Sequence, residues 1–200
     1  LALTVSEGNT FTFDAGGNFA MIGTIPITTN GGNLVIRAGD ALQVPSVDTA
    51  GGDLTLEAGD EIRVVRQLAN IGDLDIQSTG ATRIVTLDDV DAGSISIDTD
   101  TLGVTGSIFS RTALDLTNLS TIRATQMSEI TTIGAFDGTD AFAILIDPST
   151  SVEGPGGLRF VASTITLPEI NFLSALEEFV VRSPCARTIF STEKVAFEVA

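Results

Sequence analysis

The chain repeats itself about every twenty residues. Five consecutive segments begin with a small residue, usually glycine, and continue into a short alternation of aliphatic and polar residues. The first apolar residues of these segments are Leu34, Leu54, Leu74, Ile95 and Leu114, at spacings of 20, 20, 21 and 19. A fixed period of this length is typical of stacked units, because one unit cannot bury its apolar side without a neighbour. The repeat therefore predicts an elongated stack.

Each repeat contains three apolar pulses separated by turn residues. In the repeat that begins at Gly51, the pulses start at Leu54, Ile62 and Leu68. The equivalent pulses of the next repeat start at Leu74, Ile84 and Val90, and Ala-Gly-Asp turns recur at 38–40 and 58–60. Three short strands in twenty residues predict one coil of a three-sided β-solenoid, with alternate side chains pointing inward and coils stacked about 4.8 Å apart.

The repeat weakens toward both ends of the chain. Upstream, Phe13 lies 21 residues before Leu34 and is predicted to hold the equivalent position of an earlier coil. Downstream, two more coils are predicted, with a loop at 147–157 that holds two prolines and three glycines. Residues 1–170 are therefore predicted to form an all-β, right-handed parallel β-helix of about seven or eight coils, with imperfect first coils.

Residues 171–200 are predicted to cap the end of this solenoid. The sequence from Ser174 to Glu177 fits a capping box, and Phe179 and Val180 follow at helical spacing, which predicts a short helix over 174–182. A further strand at 179–181 is the alternative, because Phe and Val favour strands. Alternating apolar residues also predict a half-buried strand at each terminus, over 1–5 and 195–199.

The composition argues against several functions. With 26 acidic residues and ten basic ones, the net charge of −16 repels nucleic acid and anionic membranes. Histidine, tryptophan and tyrosine are absent, so the chain lacks the usual proton shuttle at neutral pH and the best aromatic platforms for sugars or bases. No apolar run approaches the roughly 18 residues of a membrane span. We expect a soluble chain that neither binds nucleic acid nor inserts into a membrane.

Acidic residues recur at equivalent turns. Asp53 and Asp73 follow Asn33 at one turn, and Asp40 and Asp60 recur at another. Such carboxylates could hold Ca²⁺ with backbone carbonyls. The alternative is that they form the turns on a solvated edge, and the calcium-binding Gly-Gly-x-Gly-x-Asp pattern is missing. We predict no metal and no cofactor, with these four aspartates as the calcium candidates.

The acid pair Asp88-Asp89 is the one candidate for hydrolytic chemistry, because β-helical glycosidases use paired carboxylates. Neighbouring residues of a strand point to opposite faces, however, and no histidine or lysine is nearby. Cys185 lacks a histidine base, and Asn118-Leu-Ser120 is a single glycosylation sequon. No catalytic residue is predicted, and we expect the chain not to be an enzyme.

Charged residues also recur at equivalent strand positions. Arg37, Glu57 and Gln77 are predicted to form one row on the outer surface. Arg63 and Arg83 are predicted to share a second row, with Gln43 before them and Arg123 two periods later. Exposed ion pairs of this kind contribute little stability, so we interpret both rows as surface that sets the register.

The segments Gly31-Gly-Asn-Leu-Val-Ile-Arg-Ala-Gly-Asp and Gly51-Gly-Asp-Leu-Thr-Leu-Glu-Ala-Gly-Asp resemble the repeats of filamentous-haemagglutinin-type exoproteins. The resemblance covers residues 31–125 well. It implies a right-handed β-helix, export across a bacterial outer membrane by two-partner secretion, and adhesive or filament-forming roles. The family's amino-terminal secretion motif is not visible, and the chain is shorter than typical members. We therefore expect a segment of a longer protein or a subunit that polymerises.

Two classes of function follow. The first is a structural and adhesive segment at the bacterial cell surface, which associates end to end or with neighbouring repeats of a longer chain and contacts a host or glycan surface. Its sharper form is a filament whose terminal strands pair between subunits. The second is a β-helix that binds or degrades a polysaccharide.

Overall fold

The computed structural model describes residues 2–124 and, beyond them, 128–132, 135–138, 142–146, 157–161, 164–166, 170–172, 178–182 and 188–189. Side chains are described for 4–124 and 128–132. The regular structure of these residues is entirely β-strand. In chain order the strands are β1 (Ala2–Ser6), β2 (Thr10–Ala15), β3 (Phe19–Ala20), β4 (Ile27–Asn30), β5 (Asn33–Ala38), β6 (Leu42–Asp48), β7 (Leu54–Ala58), β8 (Glu61–Ser78), β9 (Ile84–Leu87), β10 (Asp89–Asp98), β11 (Thr101–Val104), β12 (Ser107–Ser110), β13 (Ala113–Thr117), β14 (Thr121–Ala124), β15 (Ser128–Thr132), β16 (Ala135–Gly138), β17 (Phe142–Ile146), β18 (Gly157–Val161), β19 (Thr164–Thr166), β20 (Ile170–Phe172), β21 (Glu178–Arg182) and β22 (Thr188–Ile189).

The strands form three parallel ladders, which are the three faces of a β-solenoid with about six turns of roughly 20 residues. The first face begins with β2, β5 and β7 and continues to β22. The second face begins with β3 and the start of β6 and continues to β20. The third face begins with β1 and β4 and continues to β21. The strands β6 and β10 each turn one corner and belong to two faces, whereas β8 turns two corners and belongs to all three. The predicted all-β parallel solenoid is confirmed.

The core consists of columns of aliphatic side chains that run along the solenoid. On the first face, residues aligned one above another are Leu34, Leu54, Leu74, Ile95 and Leu114, each at most 1% exposed. The second face contributes Leu42, Ile62, Val85, Leu102 and Ile122, and the third contributes Val47, Leu68, Val90, Ile108 and Ile130. Burial of each such side chain stabilises the fold by about 1.5–3 kcal/mol. The predicted first-face register is confirmed residue by residue.

Two predicted positions are wrong by small shifts. Phe11, not Phe13, aligns with Leu34, so the first coil is 23 residues long on this face. Val85, not Ile84, aligns with Ile62 and is fully buried. A shift of two residues, as between Phe13 and Phe11, preserves the alternation of apolar and polar residues. At Ile84 and Val85 both neighbours are aliphatic, so the pattern does not show which of them points inward.

Glycines stack at two corners of the solenoid in the coils up to Gly80 and Gly93. At the corner between the first and second faces, Gly39, Gly59 and Gly80 lie one above another, and a Cβ on any of them would come within 3.0 Å of the carbonyl oxygen of the glycine one coil earlier. At the corner between the third and first faces, Gly52 and Gly93 have the same relation to the preceding coil. Side chains at these positions would force the coils apart.

The carboxyl-terminal prediction is corrected in part. Residues 178–182 form β21 and pair with β18, so the helix predicted over 174–182 is wrong there and the alternative strand is right. In parallel register this strand extends the third face, which a helix could not do. The loop predicted at 147–157 and the terminal strand predicted at 195–199 lie outside the described residues, apart from Gly157, the first residue of β18. The amino-terminal strand is present as β1, which pairs with β4 of its own chain.

Gly59→Ala is expected to lower the free energy of unfolding by about 1–3 kcal/mol, because the added methyl meets the carbonyl of Gly39 and overpacks the corner. Chemical denaturation followed by circular dichroism measures the change. Gly16→Ala is the matched control, since a Cβ there meets no atom within 4 Å, and it should shift stability by less than about 0.5 kcal/mol. Equal effects of the two substitutions would show that coil spacing does not depend on the glycine stack.

Candidate functional site

The outer surface of the first face carries a regular row of charged and amide side chains. Arg37, Glu57 and Gln77 are aligned in successive coils, as predicted. The Arg37 guanidinium donates from Nε to Glu57 Oε2 over 2.6 Å and from Nη2 to Oε1 over 3.2 Å. This hydrogen-bonded pairing raises the pKa of Arg37, which therefore stays charged. The row fixes one coil against the next and leaves little free charge for a ligand.

The second predicted row is right for Gln43, Arg63 and Arg123 and wrong for Arg83. Arg63 aligns with Thr86, because Arg83 lies in the turn just before β9. From that turn Arg83 donates from Nε to the backbone oxygen of Ser78 over 2.7 Å and forms an ion pair with Asp98. The complete outward row of the second face is Gln43, Arg63, Thr86, Gly103 and Arg123. The sequence does not reveal that the turn over residues 79–83 places Arg83 outside the paired strand β9.

The calcium candidates at the corner between the third and first faces bind the backbone of the next coil. Asn33 Oδ1 accepts a hydrogen bond from the Asp53 amide over 2.9 Å, and Asp53 Oδ1 accepts one from the Asp73 amide over 2.9 Å. Asp73 Oδ1 in turn accepts from the Ser94 hydroxyl over 2.6 Å. These side chains thus accept hydrogen bonds at the turns of the solenoid, which fits the alternative to calcium binding, that they help to form the turns.

The other two candidates lie at a different corner, between the first and second faces. The Asp60 amide donates to the Asp40 carbonyl over 2.8 Å, and Asp60 Oδ1 accepts from the Thr82 amide over 3.3 Å. The structure therefore does not bring the four aspartates together. Within the described residues, no group of three histidine, cysteine, aspartate or glutamate side chains is placed to hold a metal ion.

The pair Asp88 and Asp89 lies at the third corner, between the second and third faces. A Cβ built on Gly106 would be 2.6 Å from Asp88 Oδ1 and 2.6 Å from Asp89 Oδ1, so both carboxylates lie against the turn of the next coil. The Ser107 amide donates to Asp89 Oδ1 over 3.0 Å. The expectation that the two side chains point to opposite faces is wrong, because Asp88 is at the bend between β9 and β10 and not within a strand.

The environment of Asp88 raises the pKa of its carboxyl. Burial against the next coil is the larger cause and the charge of Asp89 is the second, while a hydrogen bond with the Thr105 hydroxyl acts in the opposite direction. A pair of neighbouring carboxyls, one of them with a raised pKa, is a combination that acid–base catalysis uses. Here both carboxyls also contact the 105–107 turn, which covers them on one side.

A cleft of about 310 Å³ opens on the second face near the amino-terminal end. Phe19 forms its apolar part, and Asn18, Gln43, Glu61 and Arg63 contribute polar groups. The Asn18 side-chain oxygen accepts a hydrogen bond from the Ala41 amide over 3.1 Å, which holds the rim of the cleft in place. The cleft exists because β3 has only two residues and leaves the second coil partly uncovered. Its residues come from three coils, so no local motif could reveal it.

Two shallower clefts of about 450 Å³ follow the corner between the third and first faces. One is lined by Asn70, Ile71 and Arg111 together with Ala50 and Gly51, and the other shares the last two residues. Arg111 forms an ion pair with Asp91, with Nη2 and Oδ1 2.5 Å apart. Its charge is therefore already compensated within the protein.

The remaining candidates from the sequence do not form a site. Asn118 of the sequon donates from Nδ2 to Asp98 Oδ1 over 2.9 Å, and the Ser120 hydroxyl donates to Asp100. Cys185 lies outside the described residues. Among the residues that the structure describes, no helix is long and apolar enough to cross a membrane.

No family model, no curated protein and no solved structure matches the chain.

Asp88→Asn is expected to stabilise the protein at neutral pH. Because the pKa of Asp88 is raised in the folded state, its ionised form opposes folding at pH values above that raised pKa, and this penalty is lost as the pH falls to the ordinary value of 3.8. We expect a gain in stability near pH 7 that disappears below pH 3.8, measured by denaturant titration, and a small one, because solvent screens the carboxyl.

Asp115→Asn, which removes a charge from the exposed surface of the first face, is the matched control and should change stability near pH 7 by less than about 0.5 kcal/mol. If Asp88→Asn instead lowers stability equally at pH 4 and pH 7, the hydrogen bond to Thr105 outweighs the charge.

Proposed function

We propose that the chain is a non-catalytic structural and adhesive segment of a secreted bacterial surface protein. The observation that supports this most directly is the continuous parallel pairing of coil on coil along the first face, which makes a rod of stacked coils. Rods of this kind hold binding surfaces away from a cell and need no metal, cofactor or catalytic group. The Gly-Gly repeats that resemble filamentous-haemagglutinin-type exoproteins support the same assignment and extracellular localisation.

The surface of the rod favours adhesion through many weak, repeated contacts over binding at a single deep site. Residues 4–124 carry 16 acidic side chains and six arginines, and three of these arginines are paired with carboxylates. The same kind of polar position recurs at each coil, about 4.8 Å apart. Contacts that are weak singly become strong when several are made together, provided that the spacing of the target fits. A repetitive host or glycan surface, or a neighbouring rod, is such a target.

Surface labelling tests this function. Antibodies against the purified chain should label intact cells of the bacterium that makes it, and protease added to those cells should remove the label. A cytoplasmic protein labelled only after permeabilisation is the control. Deleting the coding sequence should reduce attachment of the cells to the surface they colonise. Labelling that requires permeabilisation would overturn the proposal.

The second candidate function is binding or degradation of a polysaccharide, and the cleft beside Phe19 is what favours it. An apolar ring next to amide, carboxylate and guanidinium groups is a combination that recognises sugars, which present both C–H faces and hydroxyls. Asp88 and Asp89 would be the acids of a degrading enzyme. They lie at another corner of the solenoid, so binding in the cleft and cleavage at the acid pair are separate possibilities.

A glycan array and a depolymerisation assay separate them. If the cleft binds sugar, Arg63→Ala should weaken binding by roughly tenfold, the effect of losing one hydrogen-bonded charged contact. Arg123→Ala is the matched control, because Arg123 lies in the same outward row but away from the cleft. The Arg123→Ala variant should therefore bind sugar as strongly as the unchanged protein. Release of sugar that disappears in Asp88→Asn and Asp89→Asn would establish cleavage, and equal binding by all variants would exclude the cleft.

A further inference from the structure

The second face is the side of the solenoid with the fewest acidic residues. Apart from the corners, its strands up to β15 contain one acid, Glu61, and two arginines, Arg63 and Arg123. Over the same part of the chain, the strands of the first face contain five acids and one arginine, and those of the third face contain four acids and no basic residue. These acids are Asp14, Glu57, Asp75, Asp98 and Asp115 on the first face and Asp48, Asp89, Asp91 and Glu129 on the third. An anionic partner is therefore repelled least at the second face.

The arginines that form no ion pair lie on this face or beside it. Within residues 4–124 these are Arg63, Arg66 and Arg123, since each of the other three arginines is paired with a carboxylate. Arg63 and Arg123 point outward from the second face, and Arg66 follows at its corner with the third face. All three are exposed. A guanidinium without a carboxylate partner is free to bind the carboxylate of a ligand through two parallel hydrogen bonds.

The two outward arginines belong to one row along the rod. Arg63 is followed, one coil at a time, by Thr86, Gly103 and Arg123. The arginines are thus three coils apart, or about 14 Å at the spacing of parallel strands. The strands at both ends of this stretch, β8 and β14, continue into further paired coils, so the row lies within the solenoid and not at an end of it. It presents two cationic positions separated by uncharged residues.

Hydroxyl groups lie beside the two cationic positions. The neighbouring outward row of the same four coils contains Glu61, Ile84, Thr101 and Thr121. Among the described residues, the hydroxyls of Thr86 and Thr121 have no hydrogen-bond partner in the protein, and both side chains are half-buried on the outer surface. A hydroxyl both donates and accepts, which suits the hydroxyls of a sugar. Carboxylates and sugar hydroxyls are therefore the groups that this surface matches.

We propose that the second face from Arg63 to Arg123 binds a linear acidic polysaccharide that lies along the rod, with its carboxylates paired to these two arginines. This names the side of the rod and the class of target for the adhesive function proposed above, and it rests on that function. A polymer with a negative charge on every unit fits poorly, because the charges between the arginines would face no cation and would be repelled by the acidic faces on either side. The target is a glycan whose carboxylates are separated by uncharged sugars.

Biolayer interferometry of the immobilised chain tests this site. The probe is hyaluronan, whose carboxylates alternate with uncharged sugars, and polygalacturonate, heparin and dextran are the comparison glycans. We expect hyaluronan to bind more tightly than the two densely charged polymers, dextran not to bind, and the binding of hyaluronan to weaken as salt is added. Arg63→Gln and Arg123→Gln should each weaken it by roughly tenfold, the effect of losing one charged hydrogen-bonded contact. No binding of hyaluronan, or tighter binding of heparin, would overturn the proposal.

Arg66→Gln is the matched control. It removes the same charge from an exposed arginine that also has no ion pair but lies outside the row, so hyaluronan binding should change by less than about twofold. Thermal unfolding of each variant shows whether the solenoid is intact. Equal weakening by Arg66→Gln would indicate general charge attraction, and weakening by Arg63→Gln without any by Arg123→Gln would place the sugar in the cleft beside Phe19. Either result would overturn the row as the site.

The outcome separates this site from the function on which it rests. A chain that binds no acidic glycan, yet labels the cell surface and supports attachment, would contradict the site and leave the adhesive function in place. A purified chain that binds hyaluronan through Arg63 and Arg123, yet is labelled only in permeabilised cells, would establish the site and contradict the surface function.

Discussion

The close contact between the backbones of successive coils is the constraint on which the rest of this structure depends. Parallel strands hold neighbouring coils about 4.8 Å apart, and at the corners the Cα of Gly59 lies directly against the carbonyl of Gly39. No side chain fits between them, so glycine recurs in every coil that makes this turn. Once the corners are fixed, the register of each strand follows, and the aliphatic residues of successive coils fall into columns. The twenty-residue repeat in the sequence reflects this contact, because each coil must supply the same kinds of residue at the same positions.

The same contact explains why the acidic residues of the corners are structural. A corner leaves backbone amides without a ladder partner, and buried amides must be satisfied. Asn33 and Asp53 accept hydrogen bonds from amides one coil later. The buried Thr29 and Thr49 hydroxyls each lie within hydrogen-bond distance of two carbonyls, one in their own turn and one in the next coil, and their single proton is shared between these acceptors. Repetition of a polar residue in a solenoid thus arises from backbone satisfaction before any ligand is considered.

The sequence predicted what depends on periodicity and missed what depends on turn length. The column from Leu34 to Leu114 could be predicted from the sequence, because each coil contributes one apolar residue to it at a nearly constant spacing. The position of Phe11 could not, since Phe13 fits the same alternation and the length of the intervening turn decides between them. Asp88 was misplaced for a related reason: its face depends on whether it belongs to a strand or to a bend. The cleft beside Phe19 depends on a missing stretch of strand, which no residue pattern encodes.

The cleft beside Phe19 lies where the solenoid departs from its repeat. The outward row of the second face contains Gln43, Arg63, Thr86, Gly103 and Arg123. Of this row, Gln43 and Arg63 line the cleft, beside the two-residue strand β3. A ligand of the cleft would therefore depend on the irregular first coil, whereas contacts along the rest of the row would depend on the repeat.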